Sequence, residues 1–114
     1  MSILSIALGG ALGSVLRHLM VTATGAPWGV ALVNVLGSFA IGVLSVLLIG
    51  RTALPPLLIT GFLGGFTTFS AFSLDTLRLW QAGQTGQAVL YAGGSVILSL
   101  AAVFAGATLA RTFS

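Results

Sequence analysis

Charge is what this 114-residue chain most conspicuously lacks: 4% of its residues are charged and 57% are hydrophobic, where a soluble domain carries roughly 25% charged residues. A soluble fold of this length has no way to hide that much apolar surface, so composition alone assigns the chain to the membrane. There is no cysteine, which excludes disulfides, thiol nucleophiles and thiolate metal sites. There is no lysine, and the positive charge rests on Arg17, Arg51, Arg78 and Arg111. A nucleic-acid binder gathers its cations on one face or stripe; these four are scattered, and that class is set aside. Asp75 is the only acid and His18 the only histidine. Paired carboxylates and a histidine zinc site are therefore impossible within one chain, and the inventory of bases and nucleophiles argues against an enzyme.

What is present is long apolar runs. A helix needs about 20 apolar residues to cross the hydrocarbon core, and four such stretches are predicted, at about Ile3–Ala23, Gly29–Gly50, Leu57–Trp80 and Gln87–Ala110. Gly25, Pro27 and Gly29 break the first from the second. Arg51, Pro55 and Pro56 separate the second from the third, and a polar turn at Gln81–Gly86 leads to the fourth. The first run has no positive stretch ahead of it, so it reads as a retained helix rather than a signal peptide. The connections are short, so consecutive helices are expected to run antiparallel within one domain, 1–114. Trp28 and Trp80 stand at helix ends, where indole rings favour the headgroup level; Tyr91 lies a turn inside.

By this threading Arg51 and Arg111 share one side and Arg17 and Arg78 the other, so the positive-inside rule favours neither orientation. Two copies inserted oppositely would then form an antiparallel dimer. Gly9/Gly13, Gly61/Gly65 and Ser38/Gly42 are small-xxx-small pairs that let helices approach closely. They suit an oligomer interface and packing within one chain equally.

The polar residues inside the spans leave several readings open. Asn34 is either helix–helix glue or a pore-lining donor. Arg17 either snorkels to the interface or draws an anion into a vestibule. Asp75 and Arg78 sit at i,i+3 and suit an ion pair. Tyr91, Ser95 and Ser99 recur every four residues and share a face, fit either to pass an ion along or to bond their own helix. In the third span, Gly64 and Gly65 followed by Thr67 and Thr68 weaken the helix. A break there frees backbone carbonyls that need partners in protein, water or an ion. Phe69 and Phe72 share a face across i,i+3, and their positively polarised ring edges could meet a dehydrated anion; they could equally be core filling.

The segment Gly64-Gly65-Phe66-Thr67-Thr68-Phe69-Ser70-Ala71-Phe72-Ser73 resembles the signature of the Fluc (CrcB) fluoride channels. So do Pro27-Trp28-Gly29, Val33-Asn34-Val35-Leu36-Gly37-Ser38-Phe39 with Gly42, and Gly9-Gly10-Ala11-Leu12-Gly13 ahead of Arg17. The likeness covers nearly the whole chain. It implies an all-α membrane protein of four transmembrane helices, the third broken mid-membrane, assembled as an antiparallel, dual-topology homodimer in the lipid bilayer of the cell membrane. It implies passive export of fluoride through two pores along the subunit interface. Asn34, Phe69, Phe72, Ser70, Tyr91, Ser95, Ser99 and Arg17 would form the fluoride pathway. A structural Na⁺ at the dimer centre would be held by the backbone carbonyls of Gly64 and Thr67. The chain departs from the family at Ala71 and Val30, where relatives often carry threonine. Size and balanced charge also suit a second class, a small dual-topology multidrug or cation exporter, which would need an exchanging acid in the membrane; only Asp75 is available.

Overall fold

The structure is a computed structural model describing residues 2–113. Its elements are α1 (Ser2–Thr24), α2 (Trp28–Leu47), a π-helix (Pro56–Leu63) continued by α3 (Gly64–Phe66), α4 (Phe69–Gln81) and α5 (Thr85–Phe113). The π-helix, α3 and α4 together make one bent span, Pro56–Gln81. With α1, α2 and α5 it gives four helices long and apolar enough to cross a membrane, as the hydrophobic runs predict. The π-helical winding was not foreseen, and α5 begins earlier and ends later than its apolar run suggests.

Local chemistry explains where the helices stop. After α1 the chain turns at Gly25, whose φ of 91° suits glycine. Pro55 and Pro56 open the third span, at positions where a missing N–H costs nothing. At the end of α4, Gly83 takes φ 81°. Its N–H bonds the Trp80 carbonyl and that of Gln84 bonds the Leu79 carbonyl, the paired geometry of a glycine-terminated helix.

The tightest pairings join alternate spans rather than chain neighbours. Gly9 and Gly13 of α1 lie against the backbone of the third span at Leu57, Phe62 and Phe66, while Gly61 and Gly65 lie against Ile6 and Gly10. A side chain at Gly13 would collide with the Phe62 carbonyl. The two GxxxG pairs thus pack on each other within one chain. Gly42 of α2 and Gly106 of α5 likewise close on Val103 and Phe39, so α2 and α5 make the second tight pair. The buried core is small: one cluster holds Val33, Leu63 and Phe66, another Val30, Phe72, Leu79, Ala88 and Tyr91. Many large aliphatic side chains, among them Leu8, Leu12, Ile97 and Leu100, remain exposed, as suits helices solvated by lipid.

Candidate functional site: a cavity beside the broken helix

The third span breaks at Thr67 and Thr68, midway along its length. Their φ/ψ pairs of −89°/155° and −151°/125° are extended, while Gly64 stays helical at −62°/−37°. The break therefore falls on the β-branched pair, which favours extended backbone, while Gly65 before it packs closely on Gly10 of α1 and Gly64 borders the cavity described below.

Breaking a helix releases backbone groups that must be repaid inside a membrane. In an unbroken helix the Thr68 N–H would bond the Gly64 carbonyl, and the Ala71 N–H that of Thr67. Here Thr68 N donates to Asn34 Oδ1 at 2.8 Å, and Asn34 Nδ2 donates back to the Thr68 carbonyl at 3.0 Å. The Asn34 amide thus stands in for a neighbouring strand. Ala71 N donates to Thr68 Oγ1 at 3.2 Å, an N-cap for α4. These exchanges release the Gly64 and Thr67 carbonyls from their helical partners. The Gly65 carbonyl is taken by Arg17 Nη1 at 2.8 Å, with Ser14 Oγ at 3.5 Å. Thr67 Oγ1 donates to the Leu63 carbonyl at 2.9 Å.

Beside the break is a cavity of about 380 Å³. Phe69 and Phe72 from α4, Asn34 and Ser38 from α2, Ser95 and Ser99 from α5, and Gly64, Thr67 and Thr68 at the break all border it, together with aliphatic side chains. Among the described residues, none that borders it is charged. The Phe69 and Phe72 rings lie 5.4 Å apart, yet they differ in cover: Phe72 is buried, while Phe69 leaves 75% of its surface exposed. Ser95 is buried, and its hydroxyl finds no partner among the described residues. An unspent donor at an apolar cavity wall costs free energy unless something polar arrives. One N–H of Asn34 goes to Thr68, and an amide nitrogen carries two.

The remaining sequence-predicted residues do not border the cavity. Arg17 is bound to the Gly65 carbonyl on the α1 side of the break. Ser70 Oγ pairs with Thr68 Oγ1 at 3.3 Å. Tyr91 is fully buried between Trp28 and Phe72, and its hydroxyl donates to Asp75 Oδ2 at 3.4 Å. Asp75 thus takes its hydrogen bond from Tyr91, while Arg78 lines a second, smaller pocket with it near Pro27. Sequence reasoning missed Thr68, which both caps α4 and pairs with Asn34. The signal was available: threonine directly before a helix start is a capping residue.

The sequence matches the family described as CrcB-like protein, Camphor Resistance (CrcB), over residues 4–107. The chain belongs to the CrcB family. Among its relatives is a protein of Paracoccus denitrificans named fluoride-specific ion channel FluC, 50% identical over 115 residues that cover 95% of this chain and 93% of the relative. Proteins of the same name from Rhizobium etli and Rhizobium meliloti are 48% and 50% identical over 118 and 119 residues, covering 95% and 96% of this chain and 94% and 95% of theirs. This CrcB protein is accordingly a multi-pass membrane protein, and its uncharged, partly hydroxyl-lined cavity sits beside the segment that carries the family resemblance.

Proposed function

We propose that this chain is a fluoride-selective ion channel of the cell membrane that lets fluoride leave the cell passively and so lowers its toxicity. The observation that carries the reading is the cavity itself. It combines two phenylalanine rings, an amide nitrogen and an unpartnered serine hydroxyl with no carboxylate. A dehydrated anion needs donors and positive ring edges and is repelled by acids. A negative membrane potential supplies the driving force, about 2.3 kcal/mol per charge per 100 mV, so no nucleotide site or proton relay is required. The relatives' name is that of a channel rather than an enzyme.

In this reading Asn34, Phe69, Phe72, Ser95 and Ser99 line the fluoride path. Ser70, Tyr91 and Arg17 act around it. The active form is an antiparallel homodimer, a proposal supported by the exposure of Phe69: a ring that borders the cavity needs a second copy to cover it. A structural Na⁺ at the dimer centre would be held by the Gly64 and Thr67 carbonyls. Support for that comes from the donor set, since these two oxygens lose their helical N–H partners at the break and are hard ligands suited to an alkali cation. The ion would hold the two breaks together. Asp75, committed to Tyr91, is poorly placed to serve the exchanging acid of a cation exporter, which is the less favoured reading.

The test is fluoride efflux from vesicles containing the purified protein, followed with a fluoride electrode. Rapid efflux with little chloride flux is expected, with large losses on Phe69→Ile or Phe72→Ile. Vesicles that keep their fluoride, or that pass chloride as readily, would remove the proposal.

A further inference from the structure

Most hydroxyls inside the spanning helices turn back on their own backbone. Thr22, Ser45, Ser73, Thr76 and Thr112 each donate to a carbonyl three or four residues earlier, at 2.7 to 3.0 Å, the local way for such a group to be satisfied without water. Ser38 of α2 makes no such bond, and no other group among the described residues takes its hydroxyl. It borders the cavity instead. Ser5 and Thr108 also lack a partner, but they stand within two turns of a helix end. Ser38 is half-buried in the middle of α2. It follows Asn34 by four residues, which puts both on one face. α2 runs opposite to the third span: Asn34 pairs with Thr68, and Gly37 lies against the Thr67 side chain. Ser38 therefore stands about 6 Å farther along α2 than Asn34, on the Gly64 side of the break. The next α2 residue on the cavity wall is Ile41, and the third span adds Ile59 and Leu63 there. Ser38 is the last hydrogen-bonding side chain on the α2 wall before that aliphatic end.

We propose that Ser38 is a further residue of the fluoride path, donating its hydroxyl proton to the ion one turn beyond Asn34. The proposal rests on the channel reading and adds a second donor on α2. A dehydrated anion that leaves the Asn34 amide needs another donor within one turn, because the aliphatic wall offers none. A serine hydroxyl carries one proton and rotates to suit its partner, and here no carbonyl of its own helix holds that proton. Close packing does not account for the residue: α2 approaches the break through Gly37, whose missing side chain makes room for Thr67. The rival use of the same oxygen is to accept a cation beside the freed Gly64 carbonyl, and the two uses respond differently to sodium.

The test measures fluoride efflux per folded protein in vesicles, and the melting temperature in detergent, for wild type, Ser38→Ala, Ser38→Cys and Ser45→Cys. Ser38→Ala should lower efflux about tenfold, the lower end of what one hydrogen bond to a charged group contributes, at an unchanged melting temperature, because the hydroxyl holds nothing in the protein. Wild-type efflux in Ser38→Ala overturns the proposal. So does a lowered melting temperature with efflux per folded protein intact, which marks a structural role, and so does recovery of full efflux at raised sodium, which assigns the oxygen to the cation. The chain has no cysteine, so each Cys variant carries a single thiol. Silver ion in chloride-free buffer should stop efflux through Ser38→Cys and leave wild type and Ser45→Cys running, since Ser45 is exposed, bonds the Gly42 carbonyl and does not border the cavity. Continued efflux from silver-treated Ser38→Cys, or an equal stop in Ser45→Cys, overturns the proposal. Should Ser38→Ala fail to fold, the silver result decides. Wild-type vesicles that keep their fluoride remove the channel reading together with this proposal; a failure confined to the Ser38 variants leaves the channel reading standing.

Discussion

Arg17 offers a sharp test because two roles for it predict different variants. Its Nη1 donates to the Gly65 carbonyl at 2.8 Å, an oxygen left open by the helix break, and Ser14 Oγ at 3.5 Å is at the limit of a hydrogen bond. A hydrogen bond to a charged group contributes about 1.5–3 kcal/mol, and an orphaned buried carbonyl costs about 1–3 kcal/mol. Arg17→Met removes the donor and leaves the carbonyl, so about 2–3 kcal/mol of stability should go, a ~30- to 150-fold shift in the unfolding equilibrium. Arg17→Lys keeps one charged donor and should lose well under half of that. Denaturant titration of the protein in detergent measures the loss, and fluoride efflux of the same samples tests whether the break must be held for conduction. If Arg17 works only by drawing anions at a distance, Met would cost flux in a salt-dependent way and leave stability alone. A Met variant within about 0.5 kcal/mol of wild type, inside the range of neutral substitutions, would refute the argument from the carbonyl.

Other residues separate structure from conduction. Asn34→Leu strips both hydrogen bonds from the Thr68 backbone and should destabilise by about 2–6 kcal/mol, two unpaired groups at about 1–3 kcal/mol each; chemical denaturation measures it, and a loss below about 1 kcal/mol would mean that water or another group replaces the amide. Ser95→Ala is the converse case. Its hydroxyl has no partner among the described residues, so stability should hold or rise slightly while fluoride efflux falls about 10- to 150-fold, the worth of one hydrogen bond to a charged species; unchanged efflux would take Ser95 off the path. Gly42→Leu forces a side chain onto the Val103 carbonyl and the Ala107 backbone and should cost about 1–3 kcal/mol or more through overpacking, read as a lowered melting temperature in detergent. A melting temperature equal to wild type would show that α2 and α5 can separate without penalty.

Much of the architecture is legible in the residues. Four spans follow from apolar length, and the weak point of the third from Gly64, Gly65, Thr67 and Thr68. The exact seat of the break was harder to read, because glycine and β-branched residues both disfavour a helix and only packing chooses between them. Close contact with Gly10 kept Gly65 helical, and the extended residues fell on the threonines. The small-xxx-small pairs were ambiguous for a similar reason: the pattern announces close approach without naming the partner, and the partner of Gly9 and Gly13 is the third span of the same chain.

Sequence alone marked out the solvent of this protein, four apolar spans long enough to cross it and the family likeness, because apolar length and charge count are additive properties of the chain. Only the tertiary structure decided which polar groups are already spent. Arg17, Asn34, Thr67 and Tyr91 are engaged, whereas the Ser95 hydroxyl is not. Three of the engaged groups find partners 16 to 48 residues away in the chain, at depths set by helix packing. A hydrogen-bonding group can serve an ion only with the capacity its neighbours leave it, and neighbours across a bundle are not written in local spacing.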